Sequence, residues 1–186
     1  IPVSGTGSAG MEACVANLVE PGNAVLVCVN GVFGTRLADC ATRQGAAVDT
    51  LDFPWGTPVD VAQVKKQCAQ KAYDLVAVVH AETSTGVCNP VQEIGAVIDR
   101  DRSLYLVDAV TSFGGMAVNV DGWGIDALYS GTQKCLSCPP GLAPITLSER
   151  ALERLMNRKA PLPSWYLDLR MIVAYWEGAK RAYHHT

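Results

Sequence analysis

A carboxylate and an amine each follow an apolar, strand-like segment of this sequence. Leu104-Tyr105-Leu106-Val107 leads into Asp108, and Ala127-Leu128-Tyr129 leads through Ser130-Gly131-Thr132-Gln133 to Lys134. Taken singly, an aspartate there is often a helix cap, and a lysine is usually solvated surface. If both segments are parallel strands, their ends lie at the edge where open α/β sheets bind ligands. We therefore predict that Asp108 and Lys134 belong to one site.

A glycine-rich segment near the start of the chain precedes a helical pattern. Gly5-Thr6-Gly7-Ser8-Ala9-Gly10 matches the dinucleotide-binding pattern G-x-G-x-x-G. That kind of site also needs an acidic residue roughly 20 positions on, at the end of the next strand. The next strand-like segment ends Cys28-Val29-Asn30, without a carboxylate, which argues against NAD. Free N–H groups at a helix start and the Thr6 and Ser8 hydroxyls instead predict a phosphate site, with a ligand-free glycine turn as the alternative.

A phosphate loop, an aspartate and a lysine together are the parts that pyridoxal phosphate (PLP) requires. The amine forms an imine with the aldehyde, and the carboxylate keeps the pyridine nitrogen protonated, so that the ring accepts electrons. A cationic ring beside Asp108 would favour the charged carboxylate. Phe33, on a predicted loop in Asn30-Gly31-Val32-Phe33-Gly34, can stack on the ring, although a core phenylalanine is the alternative. PLP is the predicted cofactor.

Apolar, β-branched segments alternate with helix-length amphipathic segments along the chain. This alternation predicts an α/β fold with a mostly parallel central sheet and helices on both faces. Strands are predicted at Ala24–Val29, Ala47–Leu51, Leu75–His80, Leu104–Val107, Ala127–Tyr129 and Leu142–Leu147. Helices are predicted at Gly10–Leu18, Thr35–Gln44, Val61–Lys71, Pro90–Arg100, Glu149–Arg158 and Trp165–Gly178.

Composition narrows the class of protein. The 186 residues are 49% hydrophobic and 18% charged, which is enough for a large core. A net charge of −3 gives no basic footprint for nucleic acid, and no apolar segment approaches the ~20 residues of a membrane span. Seven scattered cysteines indicate reduced, buried thiols and a cytoplasmic location, with peroxisomal or mitochondrial location left open. Because the chain starts at Ile1 and stops after Thr186 without a cap, we interpret it as part of a longer chain.

Several other residues are of types that could take part in chemistry. Cys135-Leu136-Ser137-Cys138 is a C-x-x-C without a second pair, so neither a zinc ribbon nor a redox role is favoured. His184 and His185 are adjacent and cannot both face one metal from a regular helix or strand, and no metal site is predicted. His80 is interpreted as a hydrogen-bonded core histidine. Arg36 is interpreted as an anion ligand or a helix-surface ion pair.

Six motifs occur together in a fixed order. They are Ser4-Gly5-Thr6-Gly7, Asn30-Gly31-Val32-Phe33-Gly34, Glu82-Thr83-Ser84-Thr85-Gly86-Val87, Val107-Asp108-Ala109-Val110, Tyr129-Ser130-Gly131-Thr132-Gln133-Lys134 and Tyr183-His184-His185-Thr186. In these the chain resembles the alanine:glyoxylate and serine:pyruvate aminotransferases of the class V, fold type I PLP enzymes. The resemblance implies a large PLP-binding domain over residues 1–160 and a helical segment over 161–186 that ends at a dimer-contact motif. The small C-terminal domain is absent from the sequence.

The resemblance also implies a role for each matching residue. Lys134 forms the Schiff base and carries the proton between the substrate and the cofactor, and Asp108 pairs with the pyridine nitrogen. Val110 and Phe33 cover the two ring faces, the phenylalanine standing where the family usually has tryptophan, and Thr83 binds the ring hydroxyl. The phosphate is held by Thr6, Gly7, Ser8 and Gln133, where Ser8 replaces a histidine of the animal members. Across a homodimer interface, the partner's phosphate is held by Tyr183 and Thr186.

The activity implied is transfer of an amino group from a small amino acid of the alanine or serine type to glyoxylate or pyruvate. Two alternatives stay open: a PLP-dependent cysteine desulfurase or lyase of the same fold, and an incomplete fragment that keeps only the fold. The arginine that clamps the substrate carboxylate in the family has no counterpart in this sequence, so the donor is not assigned.

Overall fold

The computed structural model describes residues 1–177, in which nine strands and six helices follow one another. The strands are β1 Pro2–Gly5, β2 Ala24–Val29, β3 Ala47–Asp52, β4 Leu75–Val79, β5 Ala81–Glu82, β6 Val87–Cys88, β7 Leu104–Asp108, β8 Ala127–Tyr129 and β9 Gly141–Leu147. The helices are α1 Gly7–Leu18, α2 Val32–Arg43, α3 Val61–Gln70, α4 Val91–Val97, α5 Glu149–Met156 and α6 Leu169–Glu177.

Seven strands form one sheet in the order β1-β9-β8-β7-β4-β2-β3. The neighbours from β8 to β3 are all parallel, and β9 is antiparallel to both β8 and β1. Strands β4 and β7 are buried at every residue, because helices cover both faces of a parallel sheet and leave no polar side. The predicted α/β fold with a mostly parallel sheet is confirmed.

Side chains alternate between two hydrophobic cores, one on each face of the sheet. On β2, Val25 and Val27 contact the core under α1, α2, α5 and α6, whereas Leu26 and Cys28 contact the core under α3 and α4. Successive strand residues point to opposite faces, so the same alternation divides β7. Asp108 follows Leu106 on the first of these faces. Its carboxylate is therefore directed toward α1 and α2.

Two helices begin earlier than their local sequence predicts. Helix α1 starts at Gly7 rather than Gly10, and α2 starts at Val32 rather than Thr35. Phe33 consequently lies in the first turn of a helix and not on a loop. Local sequence does not predict strand β1, because this strand depends on pairing with β9, which is distant in the sequence. No helix within residues 1–177 is long and apolar enough to cross a membrane.

Two expectations about buried residues are wrong in part. Cys88, Cys135 and Cys138 are exposed, so the thiols are not uniformly buried as their apolar neighbours suggested. His80 is buried edge-on against Trp123, with the ring centroids 5.8 Å apart. However, its Nδ1 has no hydrogen-bond partner within residues 1–177. Burial lowers the pKa of His80, which keeps the imidazole neutral in this apolar position.

Candidate active site

The carboxyl ends of β4, β7 and β8 and the first turns of α1 and α2 surround one cavity of about 180 Å³. Asp108 and Lys134 both line it, as the strand-end argument predicted. The other predicted residues in its wall are Gly7, Ser8, Phe33, Thr83, Val110 and Gln133. The lining residues that were not predicted are Met11, Val79, Ala81, Thr111 and Tyr129, and Arg36, for which anion binding had been one interpretation.

Asp108 ends β7 and is 6% exposed. Its Oδ1 accepts a hydrogen bond from the Val110 N–H at 2.9 Å, and its Oδ2 accepts one from the Tyr129 hydroxyl at 2.7 Å. Burial raises the pKa of Asp108 to about 6, although these two hydrogen bonds act to lower it. A cationic ring nitrogen beside the carboxylate would lower that pKa again. The environment of Asp108 thus fits a positively charged partner in the cavity.

Lys134 lies in the turn that follows β8, on an exposed part of the cavity wall. Its backbone N–H donates to the Gly131 carbonyl at 3.4 Å, which holds the turn closed. Within residues 1–177 the Lys134 ammonium forms no salt bridge with an acidic side chain. The amine is therefore available to a ligand in the cavity.

The start of α1 forms an anion-binding end of the cavity. The Thr6 carbonyl accepts from the Ala9 and Gly10 N–H groups, whereas the N–H groups of Gly7 and Ser8 form no hydrogen bond within residues 1–177. Such free N–H groups, together with the helix dipole, bind phosphate. The Ser8 side chain is exposed beside them, and Thr6 lies at the helix start but not in the cavity wall.

Gln133, in the turn after β8, lies at the same anion-binding end of the cavity. Its Oε1 is buried without a partner in the described part of the chain, and a half-turn of the amide would present Nε2 to an anion. A methyl group at Gly131 would lie 2.7 Å from that Oε1 and 3.0 Å from the Gly7 nitrogen. Glycine at position 131 thus lets Gln133 approach the first turn of α1. These donors fit a phosphate group.

The walls of the cavity between these ends are apolar. A Cβ at Gly7 would lie 2.6 Å from Val110 Cγ2, so glycine there allows Val110 to pack beside the helix start. Phe33 is half-buried in the first turn of α2. The Arg36 guanidinium carbon lies 5.1 Å from the centre of the Phe33 ring. An aromatic side chain and an aliphatic one thus line a cavity that suits a flat ring.

Glu82 fixes the position of Phe33, a role that its place in the motif beside Thr83 does not indicate. Its fully buried carboxylate accepts from the Phe33 N–H at 3.2 Å, the Gly34 N–H at 3.1 Å and the Ser84 hydroxyl at 2.6 Å. A side chain at Gly31 would overlap this carboxylate. The carboxylate satisfies free N–H groups at the positive end of α2. An acid three residues after the strongly apolar strand β4 was the available sequence signal.

Thr83 and Thr111 form a pair of hydroxyls at the cavity. The Thr83 hydroxyl donates to Thr111 Oγ1 at 3.1 Å, and the Thr111 hydroxyl donates to the Ala81 carbonyl at 2.7 Å. Because the Thr111 proton is already used, Thr111 acts as the acceptor of the pair. The exposed Thr83 hydroxyl is placed to exchange this contact for one to a ligand.

The family model Aminotransferase class-V matches residues 1–162. The chain belongs to this family. It is 39% identical over 203 residues to the (S)-ureidoglycine–glyoxylate transaminase of Bacillus subtilis, covering 100% of this chain and 49% of that protein. It is 39% identical over 188 residues to the alanine–glyoxylate aminotransferase of Oryctolagus cuniculus, covering 100% and 48% respectively.

Among solved structures, the alanine–glyoxylate aminotransferase of Nostoc sp. matches this class V aminotransferase chain with a TM-score of 0.95 and 46% identity. The match covers 100% of this chain and 49% of that one. The predicted family and fold are therefore confirmed. The chain spans about half the length of the curated relatives it matches.

Arg36 and Cys135 lie in or beside the cavity of this class V aminotransferase chain, whereas two predicted phosphate ligands lie outside the described residues. Tyr183 and Thr186, predicted to bind the partner's phosphate, lie outside the described residues. The side chain of Arg36 forms no salt bridge within residues 1–177, so the ion-pair interpretation fails there. Cys135 directs its thiol to the Thr111 carbonyl at 3.3 Å, beside the lysine turn.

Proposed function

We propose that this chain is the cofactor-carrying part of a PLP-dependent aminotransferase. One observation carries the proposal: Asp108, which ends β7, and Lys134, which lies in the turn after β8, line a single cavity together with the free start of α1. Relatives named for transamination with glyoxylate support the acceptor class. We propose an alanine- or serine-type amino donor and glyoxylate or pyruvate as acceptor.

The residues of the cavity fit this cofactor at both of its ends. When bound, PLP supplies an aldehyde that condenses with amines and a ring that withdraws electrons from the substrate Cα. Asp108 would hold the proton on the pyridine nitrogen, and Thr83 would donate to the ring hydroxyl oxygen. The phosphate would be bound by Thr6, Gly7, Ser8 and Gln133.

Lys134 would perform the proton transfer of the reaction. Its amine would bond to the cofactor aldehyde when no substrate is bound, and in the reaction it would move a proton between the substrate Cα and cofactor C4′. Phe33 and Val110 would hold the cofactor ring between them, so that the proton would be transferred on one face of the ring. The position of Lys134 in the cavity wall, in the turn after β8, supports this role.

We further propose a homodimer in which sites are shared. Residues 1–160 would form the PLP-binding domain, and residues 161–186 would lead to Tyr183 and Thr186, which contribute to the partner's phosphate site. The motif resemblance supports this arrangement. The seven free cysteines support a cytoplasmic compartment.

A second candidate function is cysteine desulfuration by the same fold. The observation that favours it is the exposure of Cys135 and Cys138 immediately after Lys134. In this reaction an enzyme thiolate would attack the sulfur of a substrate cysteine held by PLP, so that an S–S bond forms as the substrate Cβ–S bond breaks and its electron pair stays on the substrate carbon, which leaves as alanine. An added thiol reductant would then release sulfide from the enzyme persulfide. Sulfide release from cysteine that disappears in both Cys135→Ser and Cys138→Ser would favour this function over transamination.

The test uses the full-length protein and a panel of donors and acceptors. We expect yellow protein whose visible absorption is bleached by borohydride and absent in Lys134→Ala. We also expect amino transfer from alanine or serine to glyoxylate or pyruvate. Lys159→Ala, an exposed lysine outside the cavity, is the control and should stay coloured and active. Colourless, inactive wild-type protein would contradict the proposal and favour a chain that keeps only the fold.

A further inference from the structure

Tyr129 is the last residue of β8 and is fully buried beside Asp108. The two residues are direct partners in the parallel ladder between β7 and β8. Both side chains lie on the α1 face of the sheet, since Tyr129 belongs to the same core as Leu106. The Tyr129 hydroxyl donates to Asp108 Oδ2 at 2.7 Å, a short distance typical of a charge-assisted hydrogen bond.

The Asp108 carboxylate is held from two directions. The Val110 N–H fixes Oδ1 from the backbone, and the Tyr129 phenol fixes Oδ2 from the side chain of the neighbouring strand. The pKa of Tyr129 is raised well above 10, first by burial and then by the charge of Asp108. The phenol therefore stays protonated at working pH, and it is a donor to the carboxylate.

We propose that Tyr129 is a positioning residue that orients the Asp108 carboxylate toward the pyridine nitrogen and stabilises its negative charge. This inference rests on the proposed function, because it assigns Asp108 to the ring of PLP. Without the phenol, a buried carboxylate loses a donor that water cannot replace. Asp108 would then be more easily protonated and free to rotate about its Cβ–Cγ bond. Its contact with the ring nitrogen would weaken.

The chain offers a matched control in Tyr105. This tyrosine is also fully buried, lies on the adjacent strand β7, and donates its hydroxyl to the Val91 carbonyl at 3.0 Å. Its side chain is in the other core, on the α3 face. Tyr105→Phe therefore removes a buried tyrosine hydroxyl without touching Asp108. Only an effect specific to Tyr129→Phe reports on the carboxylate.

The first measurement uses the full-length protein freed of cofactor. Carbon-13 NMR of labelled aspartate carboxyls gives the pKa of Asp108, with Asp108→Asn identifying its signal. A hydrogen bond to a charged group contributes about 1.5–3 kcal/mol, so Tyr129→Phe should raise that pKa by about one to two units. Tyr105→Phe should leave it unchanged. Equal pKa values in wild type and Tyr129→Phe would overturn the inference.

A second substitution, which should shift the pKa of Asp108 in the opposite direction, keeps the inference testable if Tyr129→Phe does not fold. Site-specific replacement of Tyr129 by 3-fluorotyrosine keeps the ring and makes the phenol a stronger donor. The pKa of Asp108 should then fall relative to wild type. A rise, or no change, would overturn the inference even if the phenylalanine variant does not fold.

The second measurement adds PLP to the same proteins. Tyr129→Phe should weaken PLP binding about tenfold, which corresponds to the loss of about 1.4 kcal/mol, and should shift the pH dependence of its visible absorption. Tyr105→Phe should change neither. A pKa shift without any PLP binding overturns the proposed function and the ring-nitrogen role with it. Normal PLP binding without a pKa shift overturns the role of Tyr129 alone.

Discussion

At the scale of single residues, the burial of Asp108 disfavours the negative charge of its carboxylate. Its two hydrogen bonds come from a backbone N–H and a phenol, neither of which brings a positive charge. Burial consequently raises the pKa of this carboxyl from 3.8 to about 6. The charged form of Asp108 therefore destabilises the folded chain without a ligand, and it favours the binding of a cationic ring.

Asp108→Asn should therefore stabilise the cofactor-free protein in a pH-dependent way. The folded-state pKa of about 6 exceeds the ordinary aspartate pKa of 3.8, so stability is greatest below the lower value and is lost as pH rises through the upper one. A pKa difference of about two units corresponds to ~3 kcal/mol of unfolding free energy at neutral pH.

Urea unfolding of the cofactor-free Asp108→Asn variant should show that gain at pH 8 and almost none at pH 4. A difference independent of pH would contradict this account, and Asp74→Asn, at a half-exposed carboxyl, is the control.

At the scale of elements, the site is made where strands end and helices begin. Parallel strands deliver Asp108 and Lys134 to one edge, and the starts of α1 and α2 point their N–H groups toward the same region. The two helix starts are satisfied differently. The start of α1 is left open for an anion, whereas that of α2 is closed by the chain's own Glu82. One helix end is thus a ligand site and the other a support.

Gly131→Ala should disturb the open helix start. The added methyl group would press on the Gly7 nitrogen and on Gln133, so the phosphate site should widen and PLP should bind at least about tenfold more weakly. Gly122→Ala is the matched control, because a methyl there meets only the side chain of exposed Asn119. PLP titration by absorbance measures both, with circular dichroism to check the fold. Equal affinities for the two variants would refute the close approach of Gly131 to the phosphate.

Glu82→Ala should destabilise the closed helix start. It leaves the buried N–H of Gly34 and its neighbour Phe33 without an acceptor, at a cost of about 1–3 kcal/mol for each unsatisfied group. Glu82→Gln keeps an acceptor oxygen and should lose less. Glu93→Ala, an exposed acid in the first turn of α4, should lose at most about 0.5 kcal/mol. Urea unfolding measures all three, and equal losses for Glu82→Ala and Glu93→Ala would show that Glu82 does not support α2.

At the scale of the whole molecule, two cores sandwich one sheet, and the site lies at its carboxyl edge. The chain covers 49% of the length of the B. subtilis transaminase. The proposed sharing of phosphate sites predicts that each site needs residues from two copies of the chain.

Mixing two inactive variants tests this sharing. Lys134→Ala lacks the amine, and a Tyr183→Ala, Thr186→Ala double variant lacks the proposed contacts to the partner's phosphate. In a mixed dimer one site receives both defects and the other receives none. Random pairing should thus restore about a quarter of wild-type activity after the two are unfolded and refolded together. If Tyr183 and Thr186 act within their own subunit, no activity returns; mixing Lys134→Ala with wild type controls for dilution.

The sequence alone determined the α/β fold class, most of the strands and the clustering of Asp108, Lys134 and the glycine loop. These depend on local signals: apolar runs of strand length, and polar residues directly after them, which topology gathers at one edge. Strands β2 and β8 match their predicted bounds. Gly7, Asp108 and Lys134 line one cavity because each begins its own helix or follows its own strand.

Only the tertiary structure decided which distant groups meet. Glu82 is 48 residues from Gly34 and still sets where α2 begins, and Tyr129 is 21 residues from the carboxylate it bonds. Strand β1 exists because β9 lies beside it. His80 is buried against the Trp123 ring, and its Nδ1 has no partner among the described residues. Local sequence encodes the preference of a segment, but hydrogen-bond partners and burial depend on packing across the fold.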